Sequence, residues 1–138
     1  MDKCKPESLL SQKNLRITRQ RLTVLGAILK KDEPFCVNDL HEDIMGEMDL
    51  VTIYRNLEIL LNENIIREVM NKKDRQYFEI SCVHNPEHPH FYCNSCGRIY
   101  CMRAQGGLAP WKKSLPHGEF IIHETVLNYN GICPGCRS

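Results

Sequence analysis

Two Cys-x-x-Cys turns, Cys93-Asn94-Ser95-Cys96 and Cys133-Pro134-Gly135-Cys136, decide how the second half of this chain is held together. Each turn brings two sulfur atoms close enough to share one metal ion, and the four thiolates of two such turns form the tetrahedral cage that zinc prefers. The 36 residues from 97 to 132 separate the turns, whereas a compact zinc ribbon has roughly 15–20. The pattern therefore predicts a structural zinc ion that clamps the ends of a whole small domain, rather than two disulfides or unused thiols.

The composition is that of an ordinary globular protein of one or two small domains, with 138 residues, 42% of them hydrophobic and 25% charged. The first residues do not lead into an apolar signal core, and no apolar run is long enough to span a membrane. Eight cysteines without a secretion signal are typical of a reducing compartment, where thiols bind metals rather than form disulfides. We therefore expect a cytoplasmic protein with no membrane partner.

The first part of the chain has the apolar spacing of helices. We predict a helix capped by Thr18, a short helix over residues 37–45 and a third helix capped by Asp49. Their inward-facing residues are Leu22, Leu25, Ile28 and Leu29 in the first and Ile53, Leu57, Leu60 and Leu61 in the third. Two short apolar segments around a polar turn, residues 65–69 and 76–80, then predict a β-hairpin. This order is that of a winged helix-turn-helix, which we assign to residues 1–81.

From residue 82 the composition changes to cysteine, histidine, proline and glycine with short β-prone runs. Strands are predicted at residues 91–92, at 98–100 and from 120–122 through 126–127, and one short helix at 108–115. The predicted fold class is therefore α+β, with an N-terminal winged helix-turn-helix followed, over residues 82–138, by a small α/β domain stapled by zinc.

Basic residues are concentrated near the N-terminus. Residues 1–31 contain eight Lys or Arg against two acids, whereas residues 32–49 contain seven acids and no Lys or Arg. This asymmetry indicates a basic arm, with Lys13, Arg16 and Arg19, that contacts DNA phosphates. The third helix is the candidate reader, because recognition helices reach base edges from their N-terminal end. Its outward face is predicted to carry Val51, Thr52, Tyr54, Arg55 and Asn56.

A second group of metal-binding residue types lies around the first Cys-x-x-Cys turn, and it consists of Cys82, His84, His88, His90 and Cys101. His88 and His90 are two residues apart, so an extended backbone places both imidazoles on one side. Two imidazoles and two thiolates suit Zn²⁺, because a hard cation or ferrous iron is expected to have more carboxylate ligands. The group predicts a second site for a regulatory divalent metal, which we expect to be zinc. Cys4 and Cys36 have no evident metal partners in the sequence, and we interpret both as plain thiols.

Four motifs together resemble the ferric uptake regulator family over almost the whole chain. In chain order they are Thr18-Arg19-Gln20-Arg21, Asp49-Leu50-Val51-Thr52-Ile53-Tyr54-Arg55-Asn56-Leu57, His88-Pro89-His90-Phe91-Tyr92-Cys93-Asn94-Ser95-Cys96-Gly97 and Gly131-Ile132-Cys133-Pro134-Gly135-Cys136. The resemblance implies a homodimeric, metal-dependent transcription repressor with a C-terminal dimerisation domain and a regulatory metal site at the hinge between its domains. It implies DNA contacts by Lys13 and Arg19 in the arm and by Thr52, Tyr54 and Arg55 on the reader helix.

The chain departs from the pattern of iron and peroxide sensors in this family. Those sensors usually supply a histidine before the second helix, where this chain has Pro34-Phe35-Cys36, and they carry an Asp or Glu at the position of Cys101. The upstream ligand is ambiguous between Glu79 and Cys82, and His123 is shifted by one residue from a third-site ligand position of some members. The softer ligand set looks more like that of a zinc uptake regulator.

These inferences combine into one expected mechanism. One metal ion is expected to be held both by residues at the end of the predicted β-hairpin and by residues of the C-terminal domain, so that it fixes the angle between the two domains. In a dimer this angle sets the spacing of the two reader helices on a double-stranded DNA operator. Excess zinc then favours repression of uptake genes by binding the DNA-competent form more tightly. The alternatives are an iron or peroxide sensor of the same family, a zinc-stapled interaction module that does not bind DNA, and a zinc hydrolase. We expect no enzyme activity, since hydrolytic zinc needs an open coordination position and a general base.

Overall fold

The computed structural model describes residues 4–102, 118–122 and 126–137, which fall into two compact units, one up to Pro86 and the other from Glu87. The elements of the first unit are α1 (Pro6–Gln12), α2 (Arg19–Leu29), α3 (Val37–Asp43), α4 (Leu50–Asn62), β1 (Ile66–Lys72) and β2 (Arg75–Ile80). The α+β class and the helix and hairpin order of a winged helix-turn-helix are confirmed.

The two predicted helix caps are confirmed. The hydroxyl oxygen of Thr18 accepts a hydrogen bond from the backbone N–H of Arg21 at 3.2 Å, and the Asp49 carboxylate accepts one from the N–H of Thr52 at 2.8 Å. Each cap satisfies one of the backbone donors that the first turn of a helix leaves without an intrahelical partner. The start of α4, which is the candidate reader helix, is therefore defined by its own sequence.

The hairpin of β1 and β2 forms the wing. Its turn is Lys73-Asp74, and both residues have positive φ angles, 52° and 62°, as the tight turns that match the twist of antiparallel strands require. Phe35, from the segment before α3, pairs with Phe78 of β2 through two backbone hydrogen bonds of 2.9 and 2.8 Å. The wing is therefore connected to the helices by backbone pairing as well as by side-chain packing.

The core of the first unit joins all four helices and the hairpin. Its fully buried side chains include Leu10 of α1, Leu25 of α2, Leu40 of α3, Leu60 of α4 and Ile66 of β1. Helix α1 was not predicted from the sequence, because a seven-residue helix with two buried leucines, Leu9 and Leu10, shows too little periodicity. Pro6 at its first position was the available signal.

The second unit contains a three-stranded sheet of β3 (His90–Cys93), β4 (Ile99–Cys101) and β5 (Asn128–Gly131), in the order β4-β3-β5. Strand β4 is antiparallel to β3, and β5 is parallel to β3. The predicted strand through residues 120–122 and 126–127 is wrong, since these residues are not in a strand and β5 begins at Asn128. Apolar β-prone residues form a strand only where a neighbouring strand completes their hydrogen bonds. The helix predicted at 108–115 lies outside the described residues.

Within the described ranges, no helix combines the length and the apolar character that crossing a bilayer requires.

Candidate metal centres and nucleic-acid interface

The four cysteines of the two Cys-x-x-Cys turns converge in the second unit. Cys93 ends β3 and Cys133 follows β5, so the parallel pairing of these strands brings the two turns to one end of the sheet. The four sulfur atoms all lie within 4.8 Å of one another, and the Sγ atoms of Cys96 and Cys133 are 3.8 Å apart. A tetrahedral zinc with Zn–S bonds of about 2.3 Å has sulfur–sulfur edges of about 3.8 Å. The spacing therefore fits zinc.

Backbone N–H groups in this cage stabilise the thiolate form of Cys93, which is the form that binds a cation. The N–H groups of Cys96 and Cys133 each donate to the Cys93 sulfur at 3.4 Å, and these bonds, that of Cys96 first, lower the pKa of Cys93 to about 6. A hydrogen bond with the Tyr100 hydroxyl lowers the pKa of Cys133, while the neighbouring Cys133 thiol raises the pKa of Cys136 to about 12. Four thiolates need a cation among them, so metal binding releases protons from the cage.

A second cluster in the same unit consists of His88, His90 and Cys101. His90 of β3 is directly opposite Cys101 of β4 in the antiparallel register, so their side chains lie on the same face of the sheet. The His88 and His90 rings are 4.5 Å apart between centroids, and each of the three residues offers a ligand atom within 4.8 Å of the others. Two imidazoles and one thiol in this arrangement can hold a divalent transition metal.

The thiol of this cluster is activated by its neighbours. Hydrogen bonds with His88 first and His90 second lower the pKa of Cys101 to about 7, against the opposing effect of burial. A substantial fraction of Cys101 is therefore thiolate at neutral pH, and the thiolate is the form that binds metals. His90 itself is buried, with 2% of its surface exposed.

The remaining predicted ligands lie in the first unit. Glu79 of β2 is buried and forms an ion pair with Arg67, whose Nε donates to the carboxylate at 2.8 Å. Cys82 and His84, which follow β2, lie beside Cys4. Burial and the neighbouring Cys82 thiol raise the pKa of Cys4 to about 11. This neighbourhood of Cys4 could not be predicted, because nothing in the sequence pattern brings residue 4 next to residues 82 and 84. His123 lies outside the described residues.

The reader helix α4 presents a polar face at its N-terminal half. Tyr54 and Arg55 are exposed, and the Tyr54 hydroxyl donates to the Gln76 side chain of the wing at 2.9 Å. Thr52 is half-buried, and the prediction that Asn56 lies on the exposed face is wrong. Asn56 is buried and donates to the backbone carbonyl of Thr52 at 2.8 Å, because its amide can be buried once this hydrogen bond is made.

The basic arm runs from the end of α1 to the start of α2. Lys13, Arg16 and Arg19 are all exposed along it. The backbone of the arm is positioned locally, since the Leu15 N–H donates to the Leu10 carbonyl at 3.0 Å and the Arg21 guanidinium donates to the Arg16 carbonyl at 2.6 Å. Three cations on an ordered segment are the arrangement that phosphate contacts use.

Comparison with known proteins agrees with this architecture. The sequence model of the ferric uptake regulator family matches residues 12–127. The ferric uptake regulation protein of Synechococcus elongatus is 24% identical over 133 residues, which cover 93% of this chain and 90% of that protein. The zinc uptake regulation protein of Escherichia coli is 26% identical over 136 residues, which cover 94% of this chain and 78% of that protein. A solved zinc uptake regulator, complexed with zinc and DNA, superposes with a TM-score of 0.61 and 26% identity, covering 94% of this chain and 89% of that one.

Proposed function

The chain belongs to the ferric uptake regulator family, whose members are metal-responsive transcription regulators and not enzymes, and from this membership we propose that it is a zinc-dependent repressor of metal-uptake genes. The observation that carries the choice of metal is the cluster of His88, His90 and Cys101. A thiolate is a soft ligand, and two imidazoles with one thiolate suit Zn²⁺ better than a hard cation or ferrous iron. The relative that was solved with both zinc and DNA supports the same assignment.

The two metal clusters have different roles in this proposal. The cage of Cys93, Cys96, Cys133 and Cys136 holds a structural zinc, because four protein ligands close the coordination sphere. The cluster of His88, His90 and Cys101 forms a group separate from this cage, and in this proposal it holds the regulatory zinc that responds to the metal supply. The sequence-based expectation that Glu79 or Cys82 adds a further ligand stays a prediction, and the grouping of Cys82 with Cys4 and His84 favours Glu79 of the two.

Regulation then follows from differential affinity. Zinc shifts the protein towards the form that binds DNA only to the extent that this form binds zinc more tightly. By the same linkage, operator DNA must tighten the binding of the regulatory zinc by an equal factor. Zinc does no chemistry on a substrate in this scheme, and the histidine and cysteine side chains serve only to hold it.

A homodimer is the proposed DNA-binding form. The second unit leaves large apolar side chains exposed, with Phe120 79% and Ile121 83% accessible, and Ile122, Val126 and Ile132 each more than half accessible. Apolar surface of this kind is typical of a protein–protein interface. Two copies related by a twofold axis would present two α4 helices to a palindromic operator.

The metal assignment is tested by DNA binding of full-length protein that retains its structural zinc but lacks the regulatory metal. Zn²⁺, Fe²⁺ and Mn²⁺ are added in separate titrations buffered by chelators, and binding to an operator duplex is followed by fluorescence anisotropy. We expect Zn²⁺ to restore binding at a far lower free concentration than Fe²⁺ or Mn²⁺. Restoration by Fe²⁺ or Mn²⁺ at the lower concentration would identify an iron or manganese sensor, and no DNA binding with any metal would indicate an interaction module.

The DNA surface is tested by two substitutions with different expected signatures. Arg55→Ala, on the reader helix, is expected to weaken operator binding and to relax the preference at one base position by about 1–3 kcal/mol, because Arg reads guanine edges. Lys13→Ala, in the arm, is expected to weaken binding to all sequences alike and to reduce the salt slope by about one, because a phosphate contact carries no base information. The measurement is a salt series on the operator and on a scrambled duplex.

Lys30→Ala is the matched control for both substitutions. Lys30 is exposed at the end of α2 opposite to Arg19, so its removal changes the net charge of the same unit by the same amount. We expect this variant to retain the specificity ratio and salt slope of the parent. If Arg55→Ala and Lys13→Ala are also indistinguishable from the parent, the proposed surface does not contact DNA.

A further inference from the structure

Three metal-binding side chains of the first unit form a group of their own, although two of them, Cys82 and His84, are residues that the sequence pattern groups with the regulatory ligands. The ligand atoms of Cys4, Cys82 and His84 all lie within 4.8 Å of one another, and the Cys4 sulfur is 3.2 Å from Nδ1 of His84. Cys4 and Cys82 are half-buried against the core of this unit, and His84 is exposed. Residues separated by about eighty positions in the sequence are thereby placed at mutual distances that one metal ion spans.

The segment that carries two of these ligands is held in place by hydrogen bonds. The Asn85 N–H donates to the Cys82 carbonyl at 2.9 Å, and the Asn85 side chain donates to the Ile80 carbonyl at 2.8 Å. The Arg67 guanidinium donates to the Asn85 carbonyl at 2.9 Å. Ligands on a backbone fixed in this way lose little further freedom when they bind a metal.

The third ligand is positioned by helix α1. Cys4 lies two residues before Pro6, the first residue of α1, and this helix is anchored in the core by the buried side chains of Leu9 and Leu10. The Cys4 sulfur therefore reaches the cluster from an element that packs independently of it. Both sides of the cluster are thus positioned by contacts other than their own.

We propose that Cys4, Cys82 and His84 bind a further zinc ion, which fastens the start of α1 to the segment that leaves the wing. Two thiolates and one imidazole are a soft set that suits Zn²⁺, and three protein ligands leave the fourth tetrahedral position to water or another small ligand. The basic arm with Lys13 and Arg16 begins where α1 ends, so this zinc would add a second attachment, beside the buried leucines, to the helix that carries the arm.

The test counts zinc ions on reduced, full-length protein. Wild type, Cys4→Ser and His84→Ala, each retaining its structural zinc, are titrated with Zn²⁺ against a chromophoric chelator, and the titration is repeated with Co²⁺ to follow thiolate charge-transfer absorbance. Cys4→Ser and His84→Ala are each expected to bind one zinc fewer than wild type, and Cys4→Ser is expected to lose part of the charge-transfer intensity. His41→Ala, which removes an exposed histidine of α3 in the same unit, is the matched control and should bind as many zinc ions as wild type.

A double variant separates this site from the regulatory one. Cys4→Ser combined with His90→Ala is expected to lose two zinc ions, whereas each single variant loses one. If the double variant loses only one, Cys4 and His90 serve the same site and the proposal is wrong. Wild-type zinc number and affinity in both Cys4→Ser and His84→Ala, or a Cys4–Cys82 disulfide found by mass under the same reducing conditions, would also overturn it. The zinc counts of the Cys4→Ser and His84→Ala single variants do not depend on which metal controls DNA binding, whereas the double variant is informative once His90→Ala alone is found to lose one zinc.

Discussion

Replacing Cys96 by serine is expected to remove the structural zinc and to unfold the second unit. The binding free energy of a structural zinc is about 10–16 kcal/mol and is also folding free energy, whereas a whole domain is stable by only about 5–15 kcal/mol. The sheet that the structure describes in this unit has three strands of at most four residues, so we expect the zinc to supply a large part of its stability. Loss of one thiolate ligand should therefore lower the free energy of unfolding of this unit by more than its total stability. The measurements are zinc content by mass spectrometry, oligomeric state by sedimentation, and near-ultraviolet circular dichroism.

Cys36→Ser is the matched control for this loss. It makes the same chemical change in a cysteine outside the three metal clusters of the described residues, at the N-cap of α3, where serine is also favourable. We expect Cys36→Ser to retain zinc and a native spectrum. A Cys96→Ser protein that is folded, dimeric and free of zinc would show that the cage does not support the fold.

Replacing His90 or Cys101 by alanine is expected to abolish the response of DNA binding to metal while leaving the fold intact. Each change removes one ligand from the cluster that we assign to the regulatory zinc. Allosteric coupling between two ligands typically amounts to about 5–150-fold in affinity, and we expect this whole factor to be lost. The free form should still bind DNA weakly, because the arm and α4 are unchanged. Operator affinity with and without added Zn²⁺ gives the coupling directly.

Two controls make this result specific. The structural zinc must be retained in both variants, which metal analysis checks, and His41→Ala should respond to zinc as the parent does. A parental zinc response in both His90→Ala and Cys101→Ala would place the regulatory site elsewhere in the chain. Loss of the structural zinc in either variant would instead show that the two clusters fold as one unit.

Local signals in the sequence predicted most of the first unit. Thr18 and Asp49 are N-cap residues followed by apolar residues at helical spacing, and Lys73-Asp74 is a polar turn between two β-prone runs. Such signals depend only on neighbouring residues, so they can be identified without the fold. The four-cysteine cluster was predictable for the same reason, because each Cys-x-x-Cys turn is itself local.

The features that were predicted wrongly or missed are those that depend on contacts between residues far apart in the sequence. Asn56 is polar and was expected to be exposed, but a hydrogen bond to the carbonyl of Thr52 allows its burial. Residues 120–122 have strong β propensity, yet a strand exists only beside a partner that the sequence does not identify. The position of Cys4 next to Cys82 follows from the packing of α1, which depends on Leu9 and Leu10 reaching the core. None of these contacts leaves a periodic pattern in the sequence.

We also expect the parallel pairing of β5 with β3 to form faster when zinc is present. Its register joins His90 to Asn128, a separation of 38 positions, so the chain must close a long loop before this pairing contributes any stability. The length-dependent part of that closure costs about 3 kcal/mol, whereas the hairpin of β3 and β4 closes locally within about 1–10 μs. A zinc ion bound first by Cys93 and Cys96 would still have two free coordination positions, and Cys133 and Cys136 could bind there and so bring β5 next to β3. A newly made chain without zinc is therefore expected to stall before β5 docks, so the supply of zinc would limit how much of the protein matures.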